Sequence, residues 1–279
     1  MKYDYVNDLY KKVYVSWNLL EVDRLKIPFN NCCKKIDVNL SSIADSACLT
    51  YLLCKHIEQN NLDCTVDAIS LLRCWSTRPW QREIGQNVFD KLKQMFPTII
   101  NERHVTFCPP EMEHGVIGHS IKTSLTNDPV AGEAVIKLSF NKYCAYTYKL
   151  EAVYHAVTAN PDGVGEDIRV PERDLDLDNL KVQRIFSYWN AEGQRFFHIK
   201  PFSYIKKDYV YKQYADNDIL DLYNTTSSCE GDLKIYNSVK QRYPSIDAYT
   251  PGDKYEPCGE CWWCQERAWA EQQYVQQSK

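Results

Sequence analysis

The segment Ile36-Asp37-Val38-Asn39-Leu40 alternates apolar and polar residues. It runs into Ser41-Ser42-Ile43-Ala44-Asp45-Ser46 and continues as Ala47–Ile57, with apolar residues at helical spacing. Period two predicts a strand and the 3.6-residue spacing a helix, so the stretch reads as strand, polar turn, helix. A strand that ends on a small polar loop at a helix N-terminus presents backbone N–H groups and the positive end of the helix dipole, which suits phosphate. The competing reading is a plain Ser/Asp helix cap. No lysine stands in a G-x-x-x-x-G-K arrangement, which excludes a Walker-type loop.

Working outward, Thr65–Leu72 reads as the next strand, Gln81–Met95 as a helix and His104–Phe107 as a third strand. Gly132–Leu150 reads as a helix feeding a strand at Val153–Thr158. Asp176–Asn190 reads as a further helix before a strand at Arg195–Ile199, and Ser203–Tyr214 as helical. Repeated βα units predict an α/β fold, a Rossmann-like parallel sheet with helices on both faces and ligands at the carboxyl ends of its strands. Residues 1–34 form an N-terminal extension with a packing or lid role, 35–220 the α/β domain, 221–270 a small module and 271–279 a frayed tail.

Of 279 residues, 44% are hydrophobic and 25% charged, which argues against disorder. With 33 Lys+Arg against 37 Asp+Glu the net charge is −4, so no strong nucleic-acid binding is expected. No apolar run approaches the roughly 18 residues of a membrane span, and the start, MKYDYVNDLYKK, lacks the apolar stretch of a signal peptide. The chain therefore reads as cytoplasmic, without a membrane partner, and a homodimer stays open.

Cysteines in a reducing compartment bind metal or pack as small hydrophobes. Cys32, Cys33, Cys48, Cys54, Cys64, Cys74, Cys108 and Cys144 are scattered and read as packing residues. Cys258, Cys261 and Cys264 follow at two-residue gaps in CGECWWC, with Cys229 upstream. Four such thiolates suit tetrahedral structural zinc, Gly259 easing the turn; an iron–sulfur cluster and unligated cysteines are the alternatives. Trp262 and Trp263 read as packing against this knuckle rather than stacking on a base. The six histidines lack metal-ligand spacing, and only His114 and His119 are singled out. Glu172–Asp178 reads as a solvated loop and helix start.

Taken together, the Ser41–Ser46 turn and the terminal cysteines resemble the PP-loop ATP pyrophosphatases, and within them the 7-cyano-7-deazaguanine synthases of queuosine biosynthesis. The family loop S-G-G-x-D-S is matched by Ser41, Asp45 and Ser46, with Ser42 and Ile43 in place of the glycines. The family's T-x-S-C and C-G-x-C-x-x-C-x-x-R are matched by Thr226-Ser227-Ser228-Cys229 and by Cys258 through Arg267. Thr158-Ala159-Asn160 followed by Asp162, Asp167 and Arg169 is similar to the family's substrate segment. Pro201 followed by Lys206 or Lys207 is similar to its proline and lysine. The resemblance spans about Ile36 to Arg267. It departs at Ala131-Gly132-Glu133-Ala134, where the family has P-G-R-N, and at Ile43, a β-branched residue where glycine would supply positive φ.

The resemblance implies a PP-loop fold with a zinc module held by Cys229, Cys258, Cys261 and Cys264. It also implies ATP with Mg2+ over Ser41, Ser42, Ile43, Ala44, Asp45 and Ser46, catalytic roles for Asp45 and for Lys206 or Lys207, and substrate contacts from Asp162, Asp167 and Arg169. The implied reaction is ATP-dependent conversion of 7-carboxy-7-deazaguanine and ammonia to the nitrile. A PP-loop ligase acting on another carboxylate or base, and a catalytically silent binding or structural homologue, are the other two readings.

Overall fold

A computed structural model describes residues 18–23, 25–72, 80–107, 140–161, 185–189, 195–229, 257–259 and 261–277. The chain opens with an antiparallel hairpin of β1 (Asn18–Val22) and β2 (Leu25–Phe29), turning at Asp23 with φ 53, a left-handed position that Asp tolerates. β3 (Lys35–Asn39), helix α1 (Ala44–Gln59), β4 (Thr65–Leu72), α2 (Gln81–Met95) and β5 (Ile100–Phe107) follow. After these come a helix over 140–147 (α3), β6 (Ala152–Tyr154), β7 (Ile185–Trp189) and β8 (Arg195–Ile199). A 3-10 turn at Pro201–Tyr204 leads to α4 (Lys207–Asp216) and α5 (Leu220–Thr225), and α6 (Trp262–Gln277) lies beyond.

The second sheet has the order β5-β4-β3-β6-β8-β7. Its pairings are parallel except for the antiparallel edge strand β7. The chain leaves β3 in one direction, through β4 to β5, and returns to β3's other side as β6. The order therefore reverses between β3 and β6, where open α/β sheets place their ligands.

Alternation sorts the side chains onto two faces. Ile36, Val38, Leu40, Val66, Ala68 and Tyr154 pack in one core with α1, α2 and α4. Ile69, Val153 and Phe196 pack in a second with Cys144 and Ala145 of α3. Burial on both faces is what a central parallel strand such as β3 requires. In α2, Gly85, Val88, Phe89 and Leu92 recur at helical spacing and are buried. The hairpin is tied to the main core, since the Tyr154 hydroxyl donates to Pro28 O at 2.8 Å and that of Tyr209 to Val22 O at 2.5 Å.

The α/β class, the parallel sheet and the C-terminal cysteine module agree with expectation; several local readings do not. Residues 185–189 of the expected helix Asp176–Asn190 form a strand. Ile-Phe-Ser-Tyr-Trp is rich in β-branched and aromatic residues and pairs with β8, and this non-local partner overrides the local pattern. The strand after α3 is shorter than expected, and His155–Asn160 leaves the sheet. The expected helix Ser203–Tyr214 divides into the 3-10 turn and α4. The tail is no frayed end through Gln277, because α6 continues to that residue and Tyr274 packs on Tyr211 with ring centroids 5.5 Å apart. Cys33, Cys48, Cys54, Cys64 and Cys144 are buried as expected, but Cys32 is exposed. Cys74, Cys108, His114, His119, Ala131–Ala134 and Glu172–Asp178 lie outside the described residues. No described helix is long and apolar enough to cross a membrane.

Candidate functional site

The loop after β3 is closed by its own serines. Ser46 Oγ receives the Ser41 N–H at 3.1 Å, lies 3.0 Å from Ser41 Oγ and donates to Ile43 O at 3.0 Å. Ser41 Oγ receives the Ile43 N–H at 3.3 Å. β4 anchors the strand end, with Leu40 N–H on Ile69 O at 2.8 Å and the Ser70 hydroxyl on Leu40 O at 2.6 Å.

Ile43 is the N-cap of α1 and its side chain makes no capping hydrogen bond, so the plain-cap reading does not describe this turn. Its φ of −93° and ψ of 148° are ordinary extended backbone. The loop thus closes without the left-handed residue that the two family glycines suggested, and Ile43 sits there unstrained. The first amides of the helix remain the natural address for an anion.

Asp45, in the first turn of α1, faces Lys207, the first residue of α4, with Asp45 Oδ2 3.3 Å from Lys207 Nζ. Lys207 also stands 3.1 Å from Glu266 Oε2 of α6 and 5.7 Å from the Trp263 ring centroid. Lys207 is 1% exposed and Glu266 fully buried, so this is an ion triad inside the protein. Of the two candidate lysines, Lys207 therefore meets Asp45, while Lys206 is the half-buried N-cap of α4. Glu266 was not among the residues singled out from the sequence.

Cys229, Cys258, Cys261 and Cys264 come together with all four sulfurs within 4.8 Å of one another. Pairs stand 3.5 Å (Cys229–Cys258), 3.9 Å (Cys258–Cys264) and 3.9 Å (Cys229–Cys261) apart. A tetrahedron of sulfurs about 2.3 Å from one ion has edges of about 3.8 Å, so the group could hold a single metal ion. Hydrogen bonds to Cys229 and Cys261, with burial, push the Cys264 thiol up; thiols this crowded ionise together only around a cation. Gly259 turns at φ 77, the left-handed backbone expected of it. Trp80 and Trp263 pack on the cysteines, as expected for Trp263, while Trp262 is buried with its ring 5.1 Å from that of Trp263.

This module is docked on the loop. Ser227 N–H donates to Ser42 O at 2.7 Å, so the Thr226–Cys229 segment lies against the turn. Arg267 clamps the same segment, donating to Thr226 O and Oγ1 at 3.0 Å each and to Tyr223 O at 3.1 Å, with its guanidinium 3.8 Å over the Tyr223 ring. The final arginine of the cysteine motif thus holds the upstream cysteine's own segment in place.

At the carboxyl end of the sheet, Asn39, Asn141, His155 and His198 form a buried polar group that sequence reasoning missed. His155 carried no spacing signal, and its partners are more than a dozen residues away in the chain. Asp162, Asp167 and Arg169 lie outside the described residues, immediately beyond Pro161.

No protein-family model and no curated protein matches the sequence. Among solved structures, the chain is similar to the U34-tRNA thiolase NcsA of Methanococcus maripaludis with its 4Fe-4S cluster, at 17% identity and a TM-score of 0.45, over 98% of this chain and 81% of that one. It is also similar to phosphoadenylyl-sulfate reductase of Candida auris in its phosphate complex, at 10% identity and a TM-score of 0.34, over 68% and 77% of the two chains. NAD+ synthetase of Burkholderia pseudomallei matches at 9% identity and a TM-score of 0.37, over 99% and 86%.

Proposed function

We propose that the chain is an ATP-using enzyme of the PP-loop type, similar to 7-cyano-7-deazaguanine synthase. The observation that carries the reading is the docking of the four-cysteine module on the Ser41–Ser46 turn, through Ser227 on Ser42 and through Lys207 between Asp45 and Glu266. Two motifs 180 residues apart in the chain belong to one site, as the resemblance requires.

ATP·Mg2+ binds with its phosphates at the N-terminus of α1, where helix amides and dipole favour negative charge. The triad of one lysine and two carboxylates carries a surplus negative charge, which the Mg2+ brought with ATP offsets. A carboxylate is a poor electrophile; its oxygen attacks the α-phosphorus, pyrophosphate leaves, and the acyl adenylate gains a leaving group. Ammonia then displaces AMP to give the amide. Adenylation of the amide oxygen by a second ATP and loss of AMP with the nitrogen's protons leave the nitrile. Asp45 and Lys207 hold the phosphate end. Asp162, Asp167 and Arg169 are proposed for the substrate, Arg169 through its carboxylate.

For the metal we assign structural zinc rather than an iron–sulfur cluster. One ion fits sulfurs this close, whereas a four-iron cluster seats each thiolate on a different iron and spreads them. All four ligands come from the protein, leaving no open position for catalysis by the metal.

One feature favours a silent homologue. Lys207 is 1% exposed and already engaged by two carboxylates. Incubation with 7-carboxy-7-deazaguanine, ammonium and ATP·Mg2+, followed by mass spectrometry, tests the proposal. The nitrile supports the synthase reading. Acyl adenylate without nitrile moves the chain to another ligase activity, and no adenylated species at all moves it to the silent homologue.

A further inference from the structure

The sheet order reverses between β3 and β6, and Asn39 ends β3 while His155 follows β6 directly. The register pairs Asp37 with Val153 and Val38 with Tyr154, so Asn39 and His155 are neighbours across that crevice. Both carboxamides address one ring nitrogen: Asn39 Nδ2 lies 2.8 Å and Asn141 Nδ2 3.2 Å from His155 Nε2. The His198 ring packs edge-on at 3.8 Å between centroids and fixes the imidazole plane.

An imidazole nitrogen offers one lone pair or one N–H, so it satisfies one carboxamide and not two, whichever way the amides are turned. Asn39 is 7% and Asn141 1% exposed, and among the described residues neither amide oxygen has a hydrogen-bond partner. Leaving such acceptors bare is destabilising by about 1–3 kcal/mol each. A purely structural core would place apolar residues here, as β3 and β6 do on their other face with Val38 and Tyr154.

We propose that Asn39, Asn141 and His155 form a subsite for the N–H edge of a planar nitrogen heterocycle. Its ring N–H and exocyclic amine donate to the two carboxamide oxygens, and His155 Nε2, between the two amides, holds one of them. Asn39 stands two residues before Ser41, so the heterocycle held here lies beside the phosphate loop. This inference rests on the proposed reading of that loop as a nucleotide site. A ring N–H beside an exocyclic amine is the edge of the deazaguanine acid; the adenine of ATP offers its amine beside a bare ring nitrogen, which accepts rather than donates, and experiment separates the two.

The test is calorimetric titration of the full metal-loaded chain with 7-carboxy-7-deazaguanine and, separately, with a non-hydrolysable ATP analogue. It compares wild type, Asn39→Leu and Asn141→Leu, with thermal unfolding run beside it. Affinity for the acid should fall about tenfold or more in each variant, roughly one hydrogen bond's contribution, with affinity for the nucleotide analogue within twofold. A fall confined to the nucleotide analogue would overturn the proposal, because adenine brings no ring N–H to the second carboxamide oxygen. Unchanged affinities for both probes in folded variants would overturn the proposal, as would a wild type that binds neither probe nor free guanine. If wild type binds a base with the predicted dependence on Asn39 but forms no AMP, the synthase reading fails and the subsite stands.

Discussion

Lys207 and Glu266 form a buried ion pair, Nζ to Oε2 at 3.1 Å, that joins the helix carrying Cys264 to the helix start facing the Ser41–Ser46 turn. Removing one partner of such a pair leaves an uncompensated charge inside the protein, destabilising by about 3–5 kcal/mol. Lys207→Met should fall in that range by urea denaturation of the metal-loaded chain, Glu266→Leu should cost less because Lys207 keeps Asp45 at 3.3 Å, and the double variant should lose less than the sum. Additive losses would mean that the pair is not coupled.

Zinc should be present at one per chain and be lost in Cys261→Ser, as elemental analysis would measure. Trp80 and Trp263 pack on the cysteines, so chelation should also change tryptophan fluorescence. The ligands bind as thiolates, so zinc should leave as pH falls. Bound iron with visible charge-transfer absorbance would contradict the assignment.

Much of this was legible because it is local. The β4 and α2 spans match their periodicities, and the cysteine motif carries its ligands in its spacing. The misread segment, Ile185–Trp189, is too short and too uniformly apolar for its period to separate helix from strand, and its partner β8 decides. The β1–β2 turn at Asp23 was passed over for want of a glycine. Glu266, Asn39, Asn141 and His155 were invisible for another reason: each acquires its meaning from residues that only the tertiary fold brings near.

Alkylation should separate the cysteines. Burial pushes Cys64 up to about 12 and raises Cys33, whose thiol donates to Glu151 at 3.1 Å; Cys48 and Cys54 are raised by burial as well. Cys32 is exposed. Since the thiolate is the reactive form, iodoacetamide on the native protein at pH 8 should label Cys32 and spare Cys33, Cys48, Cys54 and Cys64 in peptide mass spectra. Early labelling of Cys33 would contradict that burial.

Asp37 and Asp67 pair in register on β3 and β4. Burial first, then the Asp67 charge, raise Asp37 well above the ordinary carboxylate range. Burial also acts to raise Asp67, but hydrogen bonds from His104, Lys35 and Asn101 outweigh it and the net shift is downward. A raised native pKa means that folding disfavours the charged form, so Asp37 destabilises increasingly as pH rises above its unfolded value near 4. Asp67 has the opposite sign, stabilising above its unfolded value and losing that contribution on acidification. Asp37→Asn should therefore raise Tm at pH 8, by about 2–4 °C for each kcal/mol recovered, with the gain vanishing toward pH 4. A gain independent of pH would rule out this charge.

The central claim, that the Ser41–Ser46 turn with its docked cysteine module is an ATP pyrophosphatase site, is tested most directly by which phosphate bond breaks. Phosphorus NMR of ATP·Mg2+ incubated with zinc-loaded protein, 7-carboxy-7-deazaguanine and ammonium should show AMP and pyrophosphate, both abolished in a folded Asp45→Ala variant. ADP with orthophosphate, or unchanged ATP from protein that still holds its zinc, would contradict it.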